Sequence, residues 1–227
     1  MIPIRENLGS KYFPAVNYFL ITVCVIVFLI ELAAGFSMEM FADLSVVPLL
    51  NSRYFFANLY RLVTSIFLHA DFWHLLSNML FLWVFGEQVE EFLGHFGFLF
   101  FFLLAGIAGN LLHIAVYADS PLPLIGASGA ISGVMALFML YFPRARITLL
   151  LLFVFVARVP ALFLIGGWIA LQLVNGLLLR QNELTGGTAY LAHIGGILYG
   201  IVFAVFWGNK LRRKWIKRLS RNRKGRI

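Results

Sequence analysis

Long apolar runs separated by short polar connections dominate this sequence, and their lengths predict membrane-spanning helices. A helix that crosses the hydrocarbon core of a bilayer, about 30 Å thick, needs about 20 apolar residues. By that measure the chain has six candidate spans, at residues 15–34, 72–93, 96–117, 124–141, 159–179 and 187–207. The apolar stretch from Ile147 to Leu179 is too short for two spans. Arg158 and Pro160 divide it, because proline favours the first turn of a helix, and residues 147–157 are expected to lie at the interface.

The distribution of basic residues predicts the orientation of these spans. Lys and Arg concentrate in cytoplasmic loops. One side of the predicted bundle carries both termini and the connection after the fourth span, and it holds most of the basic residues, whereas the other side holds only Arg53, Arg61 and Arg180. Both termini are therefore predicted to be cytoplasmic, and no cleavable signal is expected.

Together these patterns predict an all-α membrane protein with a six-helix bundle over residues 15–207. Residues 1–14 form a cytoplasmic N-terminal segment, and residues 208–227 form a basic cytoplasmic tail that is either an amphipathic helix on anionic lipid or disordered. The first outer connection, residues 35–71, mixes apolar, aromatic and polar positions. We expect it to lie partly in the outer interface.

Composition excludes a soluble domain and a nucleic-acid-binding function. The chain is 61% hydrophobic and 12% charged, with a mean hydropathy of +0.89, too few polar residues for a water-facing surface. The net charge is +8, but 10 of the 18 Lys and Arg lie in residues 210–226, directly after the last apolar run. The positive net charge is thus explained by a basic tail beside the membrane, and it does not indicate nucleic-acid binding. The single cysteine, Cys24, allows neither an intramolecular disulfide nor a cysteine metal site.

The fourth span is too short to cross the membrane as a helix. From Ser128 to Tyr141 it has 14 residues, which give about 21 Å of helix and leave about 9 Å of the core uncovered. The segment from Pro121 to Gly126 can cover that gap in an extended form, because its prolines are unsuited to a helix interior. Irregular backbone at that depth must be packed in protein or line a wet cavity. Ser128 is therefore predicted to lie below the outer surface, at a helix N-terminus beside water.

Three other polar residues are predicted at the same depth. His193 lies six residues into the sixth span, and His74 and Asn78 lie near the outer end of the second span, four residues apart on one helix face. A serine needs a base to become a nucleophile, and a neutral imidazole is the usual one, so we assign this role to His193. His74, Asn78 and the Ser128 N–H are candidate donors to a tetrahedral oxyanion. Since no intramembrane carboxylate suggests itself as a third member, we predict a Ser–His dyad.

Small residues around the serine have a packing interpretation as well. Gly195 and Gly196 would let the sixth span approach Gly129 and Gly133 of the fourth, and taken alone such glycines indicate helix packing. Ser132, one turn deeper, is a rival nucleophile. The remaining polar residues in or near spans are interpreted as interfacial histidines or as polar packing: His69, His95 and His113 in the first group, and Asn110, Gln172 and Asn175 in the second.

Three motifs in this order resemble the rhomboid family of intramembrane serine proteases, over residues 12–207. They are Gly126-Ala-Ser128-Gly129, His74-Leu-Leu-Ser-Asn78 and Ala192-His193-Ile-Gly195-Gly196. The resemblance implies a catalytic dyad of Ser128 and His193, with His74, Asn78 and the Ser128 amide stabilising the oxyanion. It also implies that the first outer loop dips into the membrane and that the fifth span, with the loop after it, gates substrate entry.

Two positions depart from the rhomboid pattern. The outer-loop motif Trp-Arg is Tyr60-Arg61 here, and we expect Arg61 to keep its structural role near the site. Some members carry an aromatic residue one turn after the serine, stacked on the catalytic histidine, whereas this chain has Ser132. The group that orients His193 must then lie at another position in the chain.

The resulting expectation is an endopeptidase of transmembrane substrates in the cell (plasma or inner) membrane, cleaving near its outer face. Its partners are those substrates and the lipid bilayer, with no nucleic acid, metal or cofactor. One alternative is a non-catalytic chaperone or transporter that uses the same cavity. A second, a metalloprotease using His69, His74 and His193, lacks an H-E-x-x-H helix.

Overall fold

The protein is mostly helical. The computed structural model describes residues 2–8, 13–151, 155–178 and 188–224. Its α-helices are, in chain order, α1 (Ala15–Ala33), α2 (Met38–Leu44), α3 (Pro48–Arg53), α4 (Arg61–Thr64), α5 (Phe72–Leu93), α6 (His95–Val116), α7 (Ser128–Tyr141), α8 (Ala161–Leu178), α9 (Tyr190–Phe203) and α10 (Asn209–Lys224). Each of the six predicted spans overlaps one of the longer helices, α1 and α5 to α9. The junction between the fifth and sixth spans, which includes Arg180 and Gly187, lies outside the described residues.

Among the described residues, three helical stretches are long and apolar enough to cross a membrane by length and composition: α1, α6 and the continuous stretch Tyr190–Lys217. Two further apolar helices are shorter, Ser128–Tyr141 and Ala161–Gly176. The short helix α7 is the most enclosed, since every residue from Gly129 to Phe138 is buried. A span surrounded by protein in this way can begin below the membrane surface, because irregular backbone at that depth is tolerated where it packs on protein. In the lead-in segment, residues 121–126, Leu124 is buried against the bundle.

Glycine contacts bring α6, α7 and α9 together at the centre. A Cβ on Gly196 would overlap the carbonyl oxygen of Gly129, and a Cβ on Gly200 would lie 2.7 Å from the carbonyl oxygen of Gly133. On the other side of α9, a Cβ on Gly195 would lie 2.7 Å from a carbonyl oxygen of α6. Backbone therefore packs directly on backbone at this centre, as small residues allow in membrane helices.

The start of α1 is capped from α5. The buried carboxylate of Glu90 accepts hydrogen bonds from the backbone N–H groups of Val16 (3.0 Å) and Asn17 (2.6 Å), and it also pairs with His95. The first N–H groups of a helix have no partner within it, and a carboxylate there also complements the helix dipole. Pro14, which precedes α1, makes no side-chain cap, so α5 supplies this one.

A three-stranded antiparallel sheet was not predicted from the sequence. Its strands are β1 (Ile2–Glu6), β2 (Arg146–Leu151) and β3 (Phe155–Pro160), in the order β1-β2-β3. The all-α prediction placed residues 147–157 at the interface without assigning strands. Hydropathy did not identify them, because the alternation from Arg146 to Leu149 is only four residues long. It runs directly into a continuous apolar stretch, residues 149–157, in which the period of 2 is lost.

The basic tail forms a helix over Asn209–Lys224, and the contact of this helix with anionic lipid stays a prediction. Its Trp215 ring packs between Phe92 at the end of α5 and Phe142 just after α7, with ring centroids 6.0 and 5.7 Å away. The helix therefore lies against the bundle at the end where β2 begins.

Candidate active site

Ser128 is the first residue of α7. The lead-in segment contains Pro121 and Pro123, and Gly126 has φ +116°, a conformation that favours glycine. Because the first N–H groups of a helix have no acceptor within it, the Ser128 N–H is free to face a ligand. The sequence thus places a hydroxyl and a backbone donor together at the N-terminus of α7.

The outer loop holds this lead-in segment in place. Val46 and Leu124 exchange two backbone hydrogen bonds, of 3.2 and 2.7 Å, and the Gly126 N–H donates to the carbonyl of Ser65 at 2.8 Å. The amide of Asn110 on α6 ties the loop further, because it donates to Leu62 O (2.9 Å) and to Ser65 Oγ (3.0 Å). Asn110 is thus a polar packing residue, and it stabilises the loop that holds the segment before Ser128.

His193 lies next to the serine. Its Nε2 is 2.8 Å from Ser128 Oγ, and the residue is buried. The contact of Gly196 with the Gly129 carbonyl sets the separation of α9 from α7. An imidazole nitrogen at hydrogen-bond distance from a serine hydroxyl has the geometry of a nucleophile and its base.

His74 and Asn78 face the same place from α5. That helix begins after Asp71, whose carboxylate accepts the His74 backbone N–H at 2.9 Å and caps the helix. A Cβ on Gly126 would lie 2.7 Å from His74 Nε2 and 3.7 Å from Asn78 Nδ2. Asn78 Nδ2 is buried and has no hydrogen-bond partner among the residues that the structure describes. A buried donor of this kind is suited to an acceptor that arrives with a ligand.

These groups share one cavity of about 740 Å³. Ser128, His193, His74 and Asn78 line it, together with apolar side chains from the lead-in segment, α7 and α8. A space of this size holds water and a short stretch of extended peptide. The structure therefore brings together the four residues that the sequence singled out.

Gln172 on α8 contacts the other nitrogen of the imidazole. Its Oε1 lies 2.7 Å from His193 Nδ1, and both residues are buried. One turn earlier, the ring of Trp168 packs on the imidazole with centroids 5.9 Å apart and planes tilted by 35°. The sequence prediction assigned Gln172 to polar packing, which is incomplete, and did not include Trp168. Their spacing of four residues in an apolar span is the signal that could have found them.

Comparison with known proteins gives the family. The Rhomboid domain model matches residues 57–210, more than half of the chain. The chain belongs to the rhomboid family. Its apolar helices and this domain make it an integral membrane protein.

Three relatives illustrate the match. Rhomboid protein 1, mitochondrial, of Saccharomyces cerevisiae is 34% identical over 168 residues, covering 70% of this chain and 45% of the relative. Rhomboid protease GluP of Bacillus subtilis is 47% identical over 74 residues, 33% of this chain and 14% of the relative. Putative rhomboid protease YdcA of the same organism is 40% identical over 82 residues, 35% and 40% of the two chains. The chain spans less than half the length of each of these relatives.

Arg61 of this rhomboid chain anchors the outer loop. It is buried, its Nη1 donates to the Ala42 carbonyl at 2.6 Å, and its guanidinium lies 5.7 Å from the centroid of the Tyr60 ring. The Tyr60 hydroxyl donates to the Asp43 carbonyl at 3.0 Å. Tyrosine at the position of the usual tryptophan thus still contacts the arginine and adds a hydrogen bond to the same loop.

The Ser132 hydroxyl is hydrogen-bonded to the backbone of α7. Its hydroxyl donates to the Ser128 carbonyl at 2.6 Å, and the residue is buried. The imidazole nitrogen lies at Ser128 Oγ instead. This geometry favours Ser128 over Ser132 as the nucleophile.

Two of the histidines predicted at interfaces are buried. His113 packs on Tyr117 and lines the cavity, and His69 in the outer loop contacts the His74 ring with centroids 5.1 Å apart. Burial, with a smaller contribution from the charge of His74, lowers the pKa of His69 to about 4. Within the described parts of the chain, no three or more His, Cys, Asp or Glu form a group that could hold a metal ion.

Proposed function

We propose that this chain is an intramembrane serine endopeptidase that hydrolyses transmembrane-segment substrates near the outer face of the membrane. The observation that carries the proposal is the 2.8 Å separation of Ser128 Oγ and His193 Nε2 within a cavity large enough for peptide and water. Membership of the rhomboid family supports it, since two bacterial relatives are named as a rhomboid protease and a putative one.

The reaction follows from the two side chains. His193 Nε2 accepts the hydroxyl proton as Ser128 Oγ attacks the carbonyl carbon of the scissile bond. The imidazolium then gives that proton to the departing amine, which leaves an acyl ester on Ser128. A water molecule, deprotonated by the same nitrogen, hydrolyses the ester and restores the hydroxyl.

Three donors face the developing oxyanion. They are the Ser128 N–H, the Asn78 amide and the His74 imidazole. Donors fixed in a low-dielectric pocket stabilise such a charge far more than they would in water. Asn78 Nδ2 supports this role best, because it is buried and has no acceptor among the described residues.

The proposed topology has six spans within residues 15–207, with cytoplasmic segments 1–14 and 208–227 and a location in the cell (plasma or inner) membrane. The concentration of Lys and Arg on the side of both termini supports this orientation. Substrates are transmembrane helices that reach the cavity from the bilayer. The gate, in this proposal, is α8 with the loop that follows it, and that loop lies outside the described residues.

The test uses the full chain in liposomes with a single-span substrate. We expect Ser128→Ala and His193→Ala each to abolish cleavage and labelling by a fluorophosphonate, while Ser132→Ala keeps the covalent label. Cleavage by Ser128→Ala at the wild-type rate would refute the proposal. Tight binding of transmembrane segments by a wild type that neither cleaves nor labels would favour the chaperone or transporter alternative.

A further inference from the structure

The contact of α8 with the imidazole assigns a role to Gln172, and this inference rests on the proposed protease function. We propose that Gln172 is a positioning residue for His193. Its amide oxygen accepts a hydrogen bond from Nδ1–H and holds the imidazole in the tautomer whose Nε2 can take the serine proton.

The geometry places Gln172 on the far side of the ring from the nucleophile. Oε1 is 2.7 Å from Nδ1, while Ser128 Oγ is 2.8 Å from Nε2. Gln172 is 7% exposed and His193 8%, so the hydrogen bond between them is largely shielded from bulk water. The imidazole is thus held between two hydrogen-bonding partners on different helices.

Tautomer selection follows from the type of atom at Nδ1. A neutral imidazole carries one N–H, and its other nitrogen is an acceptor. An amide oxygen only accepts, so the proton must stay on Nδ1 and the lone pair on Nε2 then faces the hydroxyl. The opposite tautomer would put an N–H at Ser128 and leave the serine without a base.

An amide also suits the position electrostatically. When His193 takes the serine proton, the imidazolium keeps its Nδ1–H bond, and the dipole of the amide oxygen stabilises the new charge. A carboxylate would do so more strongly, but a buried charge within the membrane is costly before the reaction begins. The amide gives orientation without that cost.

The neighbouring helix α7 offers no equivalent support. One turn after the nucleophile, the Ser132 hydroxyl donates to the Ser128 carbonyl, and no ring stands at that position. Ring packing comes instead from Trp168, on the same face of α8 as Gln172. One helix therefore supplies both the hydrogen bond and the packing that fix the base.

Three variants of the full chain in liposomes test the assignment. Gln172→Met removes the acceptor with little change of shape, Gln172→Glu keeps only acceptors, and Asn175→Leu is a matched polar-to-apolar control on the same helix. We expect Gln172→Met to lower kcat about tenfold, the loss of one hydrogen bond, with KM unchanged. Gln172→Glu should stay within about threefold of wild type. Asn175→Leu should match wild type.

A spectroscopic signature separates positioning from packing. Nitrogen NMR of the histidines, with His193 assigned by its substitution, should show protonated Nδ1 and bare Nε2 in the wild type and a mixture of tautomers in Gln172→Met. A wild-type protein with its proton on Nε2 would overturn the inference, even if Gln172→Met does not fold. A Gln172→Met variant with wild-type kcat would overturn it too, and the protease function would still stand. A wild type that neither cleaves nor labels would instead refute the proposed function.

Discussion

A Cβ placed on Gly126 would lie 2.7 Å from Nε2 of His74, so the backbone before α7 lies directly against the imidazole. We predict that Gly126→Ala lowers kcat at least 100-fold, because the methyl group must displace His74, a proposed oxyanion donor, and such a donor is worth about 100-fold or more. Gly35→Ala is the matched control. Its φ of +63° is also positive, although it strains an alanine less than the +116° of Gly126, and no atom of the described residues lies within 4 Å of its Cβ. Equal loss of kcat in both variants would show that strain, and not the His74 contact, is responsible.

Substitution of Asn78 is predicted to lower the rate of cleavage, whereas substitution of Asn110 is predicted to lower stability. Asn78→Ala should lower kcat about 100-fold with KM and unfolding temperature unchanged, since its Nδ2 has no hydrogen-bond partner among the described residues and is a proposed oxyanion donor. Asn110→Ala removes two hydrogen bonds to the outer loop and should cost about 1–3 kcal/mol of stability. Kinetics and thermal unfolding in detergent distinguish them. An Asn78→Ala protein that unfolds early but keeps its kcat would make Asn78 structural.

The α7–α9 contact predicts a large effect of one methyl group. In Gly196→Ala the new Cβ overlaps the Gly129 carbonyl, and we expect a loss of about 3 kcal/mol or more, with loss of cleavage. The new Cβ of Gly167→Ala on α8 meets no atom of the described residues within 4 Å, and this change should alter stability by less than about 1 kcal/mol. Unfolding of the two variants side by side measures the difference. Equal stability would mean that the two backbones are not in contact.

Replacement of the carboxylate that caps α1 should destabilise the bundle without altering the chemistry. Glu90→Gln leaves a single acceptor for the two N–H groups and weakens the pair with His95, which we expect to cost about 2 kcal/mol. Glu87→Gln, on the same helix, is the control. The measurement is denaturant unfolding, with fluorophosphonate labelling below the transition. No change in unfolding would contradict the capping role.

Acid should destabilise the outer loop through His69. Its folded-state pKa of about 4 lies below the ordinary 6.5, because burial disfavours the charged form. The unfolded chain therefore binds the proton more readily between these values, and stability is complete above about pH 6.5 and falls as pH drops toward 4. The unfolding temperature of wild type should decline over that range, and that of His69→Gln should decline less. Parallel curves for the two proteins would remove His69 as the cause.

The sequence was enough to predict the family and the meeting of Ser128, His193, His74 and Asn78. Helical rise fixes depth, so counting residues from the ends of apolar runs places polar side chains at comparable levels. The family match confirms the resemblance. The start of α7 at Ser128 agrees with the two prolines and the glycine that precede it.

The role of Gln172 could not be predicted in the same way. Residue counting gives depth but not the rotation of a helix about its axis. Because α8 is apolar nearly all round, hydropathy does not show which way Gln172 faces, and only its spacing of four residues from Trp168 indicates that the two share a face. The strands of residues 146–160 were missed for a related reason. The apolar run of residues 149–157 has no alternation and is compatible with either period, and the pairing of β2 with β1 and β3 decides between them.

The glycines between α7 and α9 also affect how this protein responds to changes in the thickness of its bilayer. Ser128 and His193 belong to two backbones that touch without intervening side chains, so their separation is set by atomic radii. Thinning, thickening or tilting of the surrounding lipid acts first on the helices at the periphery of the bundle. The spacing of nucleophile and base should therefore be the same in membranes of different thickness, and lipid composition should affect the arrival of substrate more than the chemical step.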